Sequence, residues 1–159
     1  MNSYDDDPAV EFIETVGLRF QEQNMPRIAG RLFGLLLLEG GPFSFGELAD
    51  KLQVSRGSIS TNARMLAEMG LIERVSRPGD RQDHYQIVPD GMVRLFKRQL
   101  EKLWWSANFY HSIEARLPDH KQQAKQRLHA TAVYTRKAAD GLALGITEAE
   151  ELLRQSETA

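Results

Sequence analysis

Residues 44 to 70, SFGELADKLQVSRGSISTNARMLAEMG, admit very few folds. Ser44-Phe45-Gly46-Glu47 has the form of a capping box, in which the Ser hydroxyl and the Glu carboxylate satisfy backbone N–H groups that a first helical turn leaves free. A short helix, roughly 45 to 52, is expected after it. Gln53-Val54-Ser55 then reads as a tight turn, with Ser55 placed to cap a second helix that ends at Met69 before the stop residue Gly70. Two short capped helices separated by a few residues make a helix-turn-helix.

Beyond Gly70 the periodicity changes. LIERVS and HYQIV read as two strands joined by the Pro-Gly turn of RPGDRQD, so the helix-turn-helix runs directly into a basic-tipped hairpin, the arrangement of a winged helix. Upstream, Asp7-Pro8 is a helix entry, and Val10, Ile13, Val16, Gly17 and Phe20 recur at helical spacing. A second upstream helix is expected from Pro26 through RIAGRLFGLLLLEG, stopped by Gly40-Gly41-Pro42. It is apolar enough to be buried, and Gly30 and Gly34 would let another helix come close.

Downstream, a long helix is expected from the cap Asp90 to about Leu117, broken by Pro118. Val93, Phe96, Leu100, Leu103, Ala107, Tyr110 and Leu117 give it a seam near the coiled-coil period. A basic helix over 119–139 and a short terminal helix opened by a second capping box at Thr147-Glu148-Ala149-Glu150 complete the chain. The expected fold is mainly α with a small β-hairpin: a winged helix-turn-helix flanked by N- and C-terminal dimerisation helices. Its parts are an N-terminal helix (1–25), the winged helix (26–90) and a C-terminal helical region (91–159).

Composition excludes several classes. The chain has no cysteine, which removes disulfides, thiolate zinc sites and thiol redox chemistry. MNSYDDDPAV lacks the features of a signal peptide, and LFGLLLL is too short to span a bilayer, so a cytoplasmic protein without a membrane partner is expected. His111, His120 and His129 are nine apart and would fall on opposite faces of a helix. With no metal-ligand pair at helical spacing, no phosphate loop and no nucleophile elbow, the reading is no enzyme, no catalytic residue, no metal and no cofactor.

Net charge is −2, but it is unevenly spread. Residues 1–25 carry six acids and one base, residues 51–82 six bases and three acids, and residues 94–137 ten bases and three acids. A local basic face, rather than the total, decides nucleic-acid binding. At about 100° per residue, Arg56, Gly57, Ser60, Thr61 and Arg64 share one side of the second helix, while Ile59, Ala63, Met65, Leu66 and Met69 occupy the other. Small and polar side chains there would let the helix sit deep in a major groove, with Ser55 and Ser58 at its phosphate-attracting N-terminus. Asn62 falls among the apolar residues and reads as a structural hydrogen-bonder. In the wing, Arg77, Arg81 and His84 are expected to project towards a minor groove, with Asp80 orienting a neighbouring arginine.

These residues carry a resemblance. The helix entering at Pro26, the Ser-capped helix, the turn, the helix ending in MGLIERV and the DR of the wing together resemble the MarR superfamily of dimeric bacterial transcriptional regulators. NMPRIAGRLFGLLLL (24–38) and VSRGSISTNARML (54–66) are similar to its GbsR-like branch, in which a Ser-Lys/Arg-Gly start and a later Ser-x-Asn-x-Arg recur.

The resemblance implies a homodimer with interlocking N- and C-terminal helices, reading a palindromic operator in double-stranded DNA. The recognition helix would be 55–69 and the wing 76–84. Ser55, Arg56, Gly57, Ser58, Ser60, Thr61 and Arg64 match the family's recognition helix, and Arg81 its wing. It further implies a repressor released by a small-molecule effector, of choline or betaine type in the GbsR-like branch. Trp104, Trp105, Phe109 and Tyr110 are the aromatic candidates for such a ligand, although apolar core is a competing role for them. Two other questions stay open at this level. The basic stretch 116–137 could meet flanking phosphates, a partner's acidic N-terminus or only water, and the winged helix could be a protein-protein interaction module without DNA.

Overall fold

The computed structural model describes residues 7–76, 78–80 and 82–157, which divide into two compact units joined at Gly91 and Met92. In the first unit, α1 (Pro8–Glu22) begins as its sequence requires: Asp7 is the cap, its carboxylate accepts the Ala9 N–H at 2.9 Å, and Pro8 occupies the first helical position. α2 (Arg27–Glu39) follows Pro26 and is almost wholly buried from Ala29 to Leu36. The helix that its glycines admit is α1. A Cβ on Gly30 would stand 2.6 Å from the Val16 carbonyl oxygen and 2.8 Å from the Gly17 Cα, so only glycine allows this crossing. Phe20 stacks on Phe33 beside it, and Glu14 pairs with both Arg27 and Arg31 at 2.7 Å.

β1 (Phe43–Ser44), α3 (Phe45–Leu52), α4 (Arg56–Glu68), β2 (Ile72–Ser76) and β3 (Asp83–Ile87) complete the winged helix. The capping box is present: the Ser44 hydroxyl accepts the Glu47 N–H at 3.3 Å, and the Glu47 carboxylate accepts the Ser44 N–H at 2.7 Å. Gln53 takes a left-handed conformation (φ 55°) in the turn before α4. The apolar sides of α2, α3 and α4 meet in one core whose fully buried members include Leu32, Leu36, Leu48, Ile59 and Leu66. Packing this seam is the main stabilising term for the unit.

The hairpin proves to be part of a three-stranded antiparallel sheet ordered β1-β3-β2, with Phe43 opposite Tyr85 and Ile72 opposite Ile87. β1 has only two residues and thus no alternation to reveal it. Gly41 (φ 92°) makes the entry, since a Cβ there would lie 2.7 Å from the Tyr85 carbonyl oxygen. The sheet also corrects one expectation. His84 is 2% exposed, with Nδ1 3.1 Å from the Gln82 carbonyl and Nε2 3.5 Å from the Asp80 carboxylate, so it faces inward and does not project from the wing.

The second unit is a helical hairpin of α5 (Gly91–Arg116) and α6 (Gln122–Glu157), turned at Pro118 through a single 3-10 turn, Asp119–Lys121. Val93, Leu100 and Ala107 on α5 and Ala132, Ala139 and Ile146 on α6 are buried at seven-residue intervals, the heptad spacing that keeps two helices in register. Lys97 with Glu150, Asn108 with Arg136 and Glu114 with His129 fix the antiparallel pairing. Of the expected seam, Phe96 is exposed and Tyr110 and Leu117 are half-buried. The Lys125 ammonium hydrogen-bonds the Asp119 carboxylate at 2.9 Å and holds its pKa below the ordinary value.

The terminal segment differs from expectation. Helix continues unbroken from Gln122 to Glu157, and no new helix starts at Thr147. A cap there would need extended backbone, which would pull Ile146 out of the buried seam. The Thr147 hydroxyl instead donates to the Ala143 carbonyl at 3.1 Å, within the helix. Among the described residues, no helix is long and apolar enough to cross a membrane, and no group of three or more His, Asp or Glu side chains is placed to hold a metal ion.

Candidate nucleic-acid interface

α4 presents two chemically different sides. Ile59, Asn62, Ala63 and Leu66 are buried, whereas Ser55, Arg56, Gly57, Thr61 and Arg64 are exposed and Ser58 and Ser60 half-buried. Ser55 caps the helix, its hydroxyl accepting the Ser58 N–H at 3.1 Å, so two of the candidate residues build the N-terminus. The remaining free N–H groups of that first turn and the helix dipole favour an anion there. At Gly57, apart from the Ser55 hydroxyl at 3.9 Å, nothing lies within 4 Å of where a Cβ would point. The surface there is open to an approaching groove wall.

The basic side chains are available for contact. Among the described residues, neither Arg56 nor Arg64 is paired with a carboxylate; Arg64 reaches the Ser60 hydroxyl at 3.5 Å. Their neighbours differ: Lys51 is held by Glu39 at 2.7 Å and lies 5.1 Å from the Phe43 ring centre, and Arg74 is held by Asp83 at 3.2 Å. The Arg56 guanidinium lies across the start of α3, 3.0 Å from where a Cβ on Gly46 would stand. Gly46 is thus the small residue that makes room for Arg56, a relation that motif spacing does not reveal.

Asn62 is 7% exposed, and its amide donates to the Ser58 carbonyl at 2.7 Å while its own oxygen is buried without a partner among the described residues. It is a structural residue of α4, as its position among apolar side chains implies. In the wing, Gly79 (φ 84°) turns the chain and the Asp80 carboxylate accepts the Gln82 N–H at 2.9 Å. Arg77 and Arg81, the two wing candidates, lie outside the described residues.

The aromatic candidates lie on one helix, α5. Trp105 stacks on Phe109 with centroids 5.2 Å apart and planes 6° from parallel, and Phe109 meets Tyr110 at 6.1 Å and 56°. Trp105 is 66% exposed and Trp104 39%. Within the chain, the Trp105 and Phe109 faces cover each other instead of surrounding a common point. A different group was missed by the sequence reading: His111 and His129, on different helices, share the Glu114 carboxylate at 3.5 and 3.1 Å. Only the register of the hairpin, set by the turn at Pro118, brings them together.

Residues 23–83 match the family model described as MarR family. The HTH-type transcriptional regulator MmpR5 of Mycobacterium tuberculosis is 44% identical over 85 residues, which are 53% of this chain and 52% of that protein. The putative HTH-type transcriptional regulator YvaV of Bacillus subtilis is 27% identical over 79 residues, 50% of this chain and 45% of its own. The chain therefore spans about half the length of the curated relatives it matches. A crystal structure of a transcriptional regulator superposes with a TM-score of 0.67 at 28% identity, covering 91% of this chain and 99% of that one. Over residues 23–83, which run from the turn before α2 to the start of β3, this chain is similar to the MarR family.

Proposed function

We propose that this chain is a dimeric DNA-binding transcriptional regulator that inserts α4 into a major groove. The observation that carries the reading is the exposed face of α4, where Arg56 and Arg64 have no carboxylate partner among the described residues and stand beside the open surface at Gly57. The names of its relatives support it, each being an HTH-type transcriptional regulator. Homodimerisation is supported by large apolar side chains left exposed on the N-terminal helices and on α6, among them Leu18, Leu37, Tyr134 and Leu152. With two-fold symmetry, the operator is a palindrome.

The finer features of this reading are repression, membership of the GbsR-like branch and release by a choline- or betaine-type ligand. The two motif stretches at 24–38 and 54–66 support the branch, and the aromatic faces of α5 support a cationic ligand.

DNA selected from a random pool by the wild-type chain provides the test. Arg56→Ala with Arg81→Ala should weaken binding by about tenfold or more and lower the dependence of log affinity on log salt by about two. Unchanged, salt-insensitive affinity in the double variant would leave the protein-protein interaction module as the better account.

A further inference from the structure

Gly46, the second residue of α3, is not demanded by the backbone it occupies. The chain there is regular helix without a positive φ, and glycine is among the poorest helix formers. What it does is leave room. Its own helix and chain neighbours aside, the three atoms nearest the place where a Cβ would stand all belong to one guanidinium: Arg56 Nη2 at 3.0 Å, Cζ at 3.5 Å and Nε at 3.7 Å. Gly46 is buried, and this guanidinium is what lies over it. The neighbouring acid, Glu47, gives its carboxylate to the Ser44 N–H at 2.7 Å, and Arg56 has no carboxylate partner among the described residues. The charge over the start of α3 is thus open to an anion.

The two arginines of α4 reach different places. Arg56 opens α4 but folds its guanidinium back over α3, whereas Arg64 keeps its guanidinium on α4, 3.5 Å from the Ser60 hydroxyl. In a helix-turn-helix the second helix enters the major groove while the first crosses the sugar–phosphate backbone. A guanidinium seated on the first helix therefore lies where phosphates pass, and one kept on the second lies where base edges are. We propose that Gly46 is a positioning residue for DNA binding, seating Arg56 over α3 to grip a backbone phosphate and leaving base recognition by arginine on this face to Arg64. The inference rests on the insertion of α4 into a major groove. A guanidinium can give two parallel N–H bonds to phosphate oxygens, and such a contact fixes register without reading sequence. Unseated, the same side chain could turn to a guanine edge instead. An alanine at position 46 would move the guanidinium by a few tenths of an ångström, and a leucine would evict it.

Affinity measured over a range of salt on two duplexes, one selected from a random pool by the wild-type chain and one scrambled, tests the assignment. Arg56→Ala should weaken both duplexes by the same factor, roughly threefold or more, and lower the slope of log affinity against log salt by about one. Arg64→Ala should weaken the selected duplex about tenfold and the scrambled one much less, and relax base preference at one position of the selected sequence. Gly46→Leu should reproduce the loss and the slope of Arg56→Ala and add nothing when combined with it. Gly46→Ala should fall between wild type and Gly46→Leu. Both should keep or raise the thermal midpoint, since each is a better helix former than glycine; if Gly46→Leu does not fold, Gly46→Ala carries the same comparison with a smaller loss. Gly46→Leu costing as much in the Arg56→Ala background as in wild type, or a selected sequence altered by Arg56→Ala, would overturn the proposal. A wild-type chain that selects no duplex would overturn the insertion of α4 as well, whereas salt-dependent binding that Gly46→Leu leaves unchanged overturns this inference alone.

Discussion

Asn62 shows how one side chain separates contact from support. It lies in a run of polar residues, SISTNAR, but its angular position puts it among Ile59, Ala63 and Leu66, and there it is buried with an amide oxygen that has no partner among the described residues. A buried acceptor without a donor costs on the order of 1–3 kcal/mol. Helix geometry already gives the Ser58 carbonyl a backbone donor, so the Asn62 amide bond to it is additional. Asn62→Leu, which keeps the number and branching of the side-chain heavy atoms, should therefore keep or raise stability, by up to about 1 kcal/mol in urea unfolding, and leave DNA affinity unaltered. A loss above about 2 kcal/mol would show that the amide has a partner essential to the fold. His84 teaches the reverse. Its proximity to two arginines in sequence points to a wing contact, yet five residues of strand are too few to tell from alternation which side chains of β3 are buried, and His84 and Tyr85 both are.

At the scale of elements, what chemistry dictates locally was legible, and what depends on a distant partner was not. Asp7-Pro8, the Ser44–Glu47 capping box and the Ser55 cap each act within a few residues, and each helix begins where its cap stands. Thr147-Glu148-Ala149-Glu150 has the same local form but starts nothing, because burying Ile146 at heptad spacing outweighs a cap worth about 1 kcal/mol. The small-residue spacing of α2 foretold a close neighbour without naming it, and the crossing of α1 at Gly17 and Gly30 supplies it. Gly30→Ala should force these helices apart and cost about 1–3 kcal/mol, measured as a lowered thermal midpoint. Gly57→Ala, where a Cβ meets open space, should by contrast leave the fold intact.

For the molecule as a whole, the winged helix was readable because its punctuation is dense, whereas the C-terminal hairpin was readable only as two helices. Its register, and with it the meeting of His111, Glu114 and His129, follows from packing across a turn that no motif describes. The seam expected to join two subunits is spent in part within one chain, where Val93 and Leu100 pack against Ala139 and Ile146. The surface left for a second copy is the exposed apolar set instead, including Tyr134 and Leu152 on α6. Sedimentation should give a particle of twice 18.0 kDa at micromolar concentration, and Tyr134→Glu with Leu152→Glu should shift it towards monomer.

The tapering hairpin has a consequence for how it comes apart. Leu100, Leu103, Leu142 and Ile146 pack together at one level, whereas Ala107 and Ala132 bury little area at the other. Opening from the Pro118 end thus sacrifices the least contact, and the hairpin should unzip in that direction without the winged helix unfolding. Deuterium uptake should reach the amides of 108–116 and 122–132 before those of 96–104 and 139–148. The slow-exchanging half would then be the hinge about which the fast half breathes.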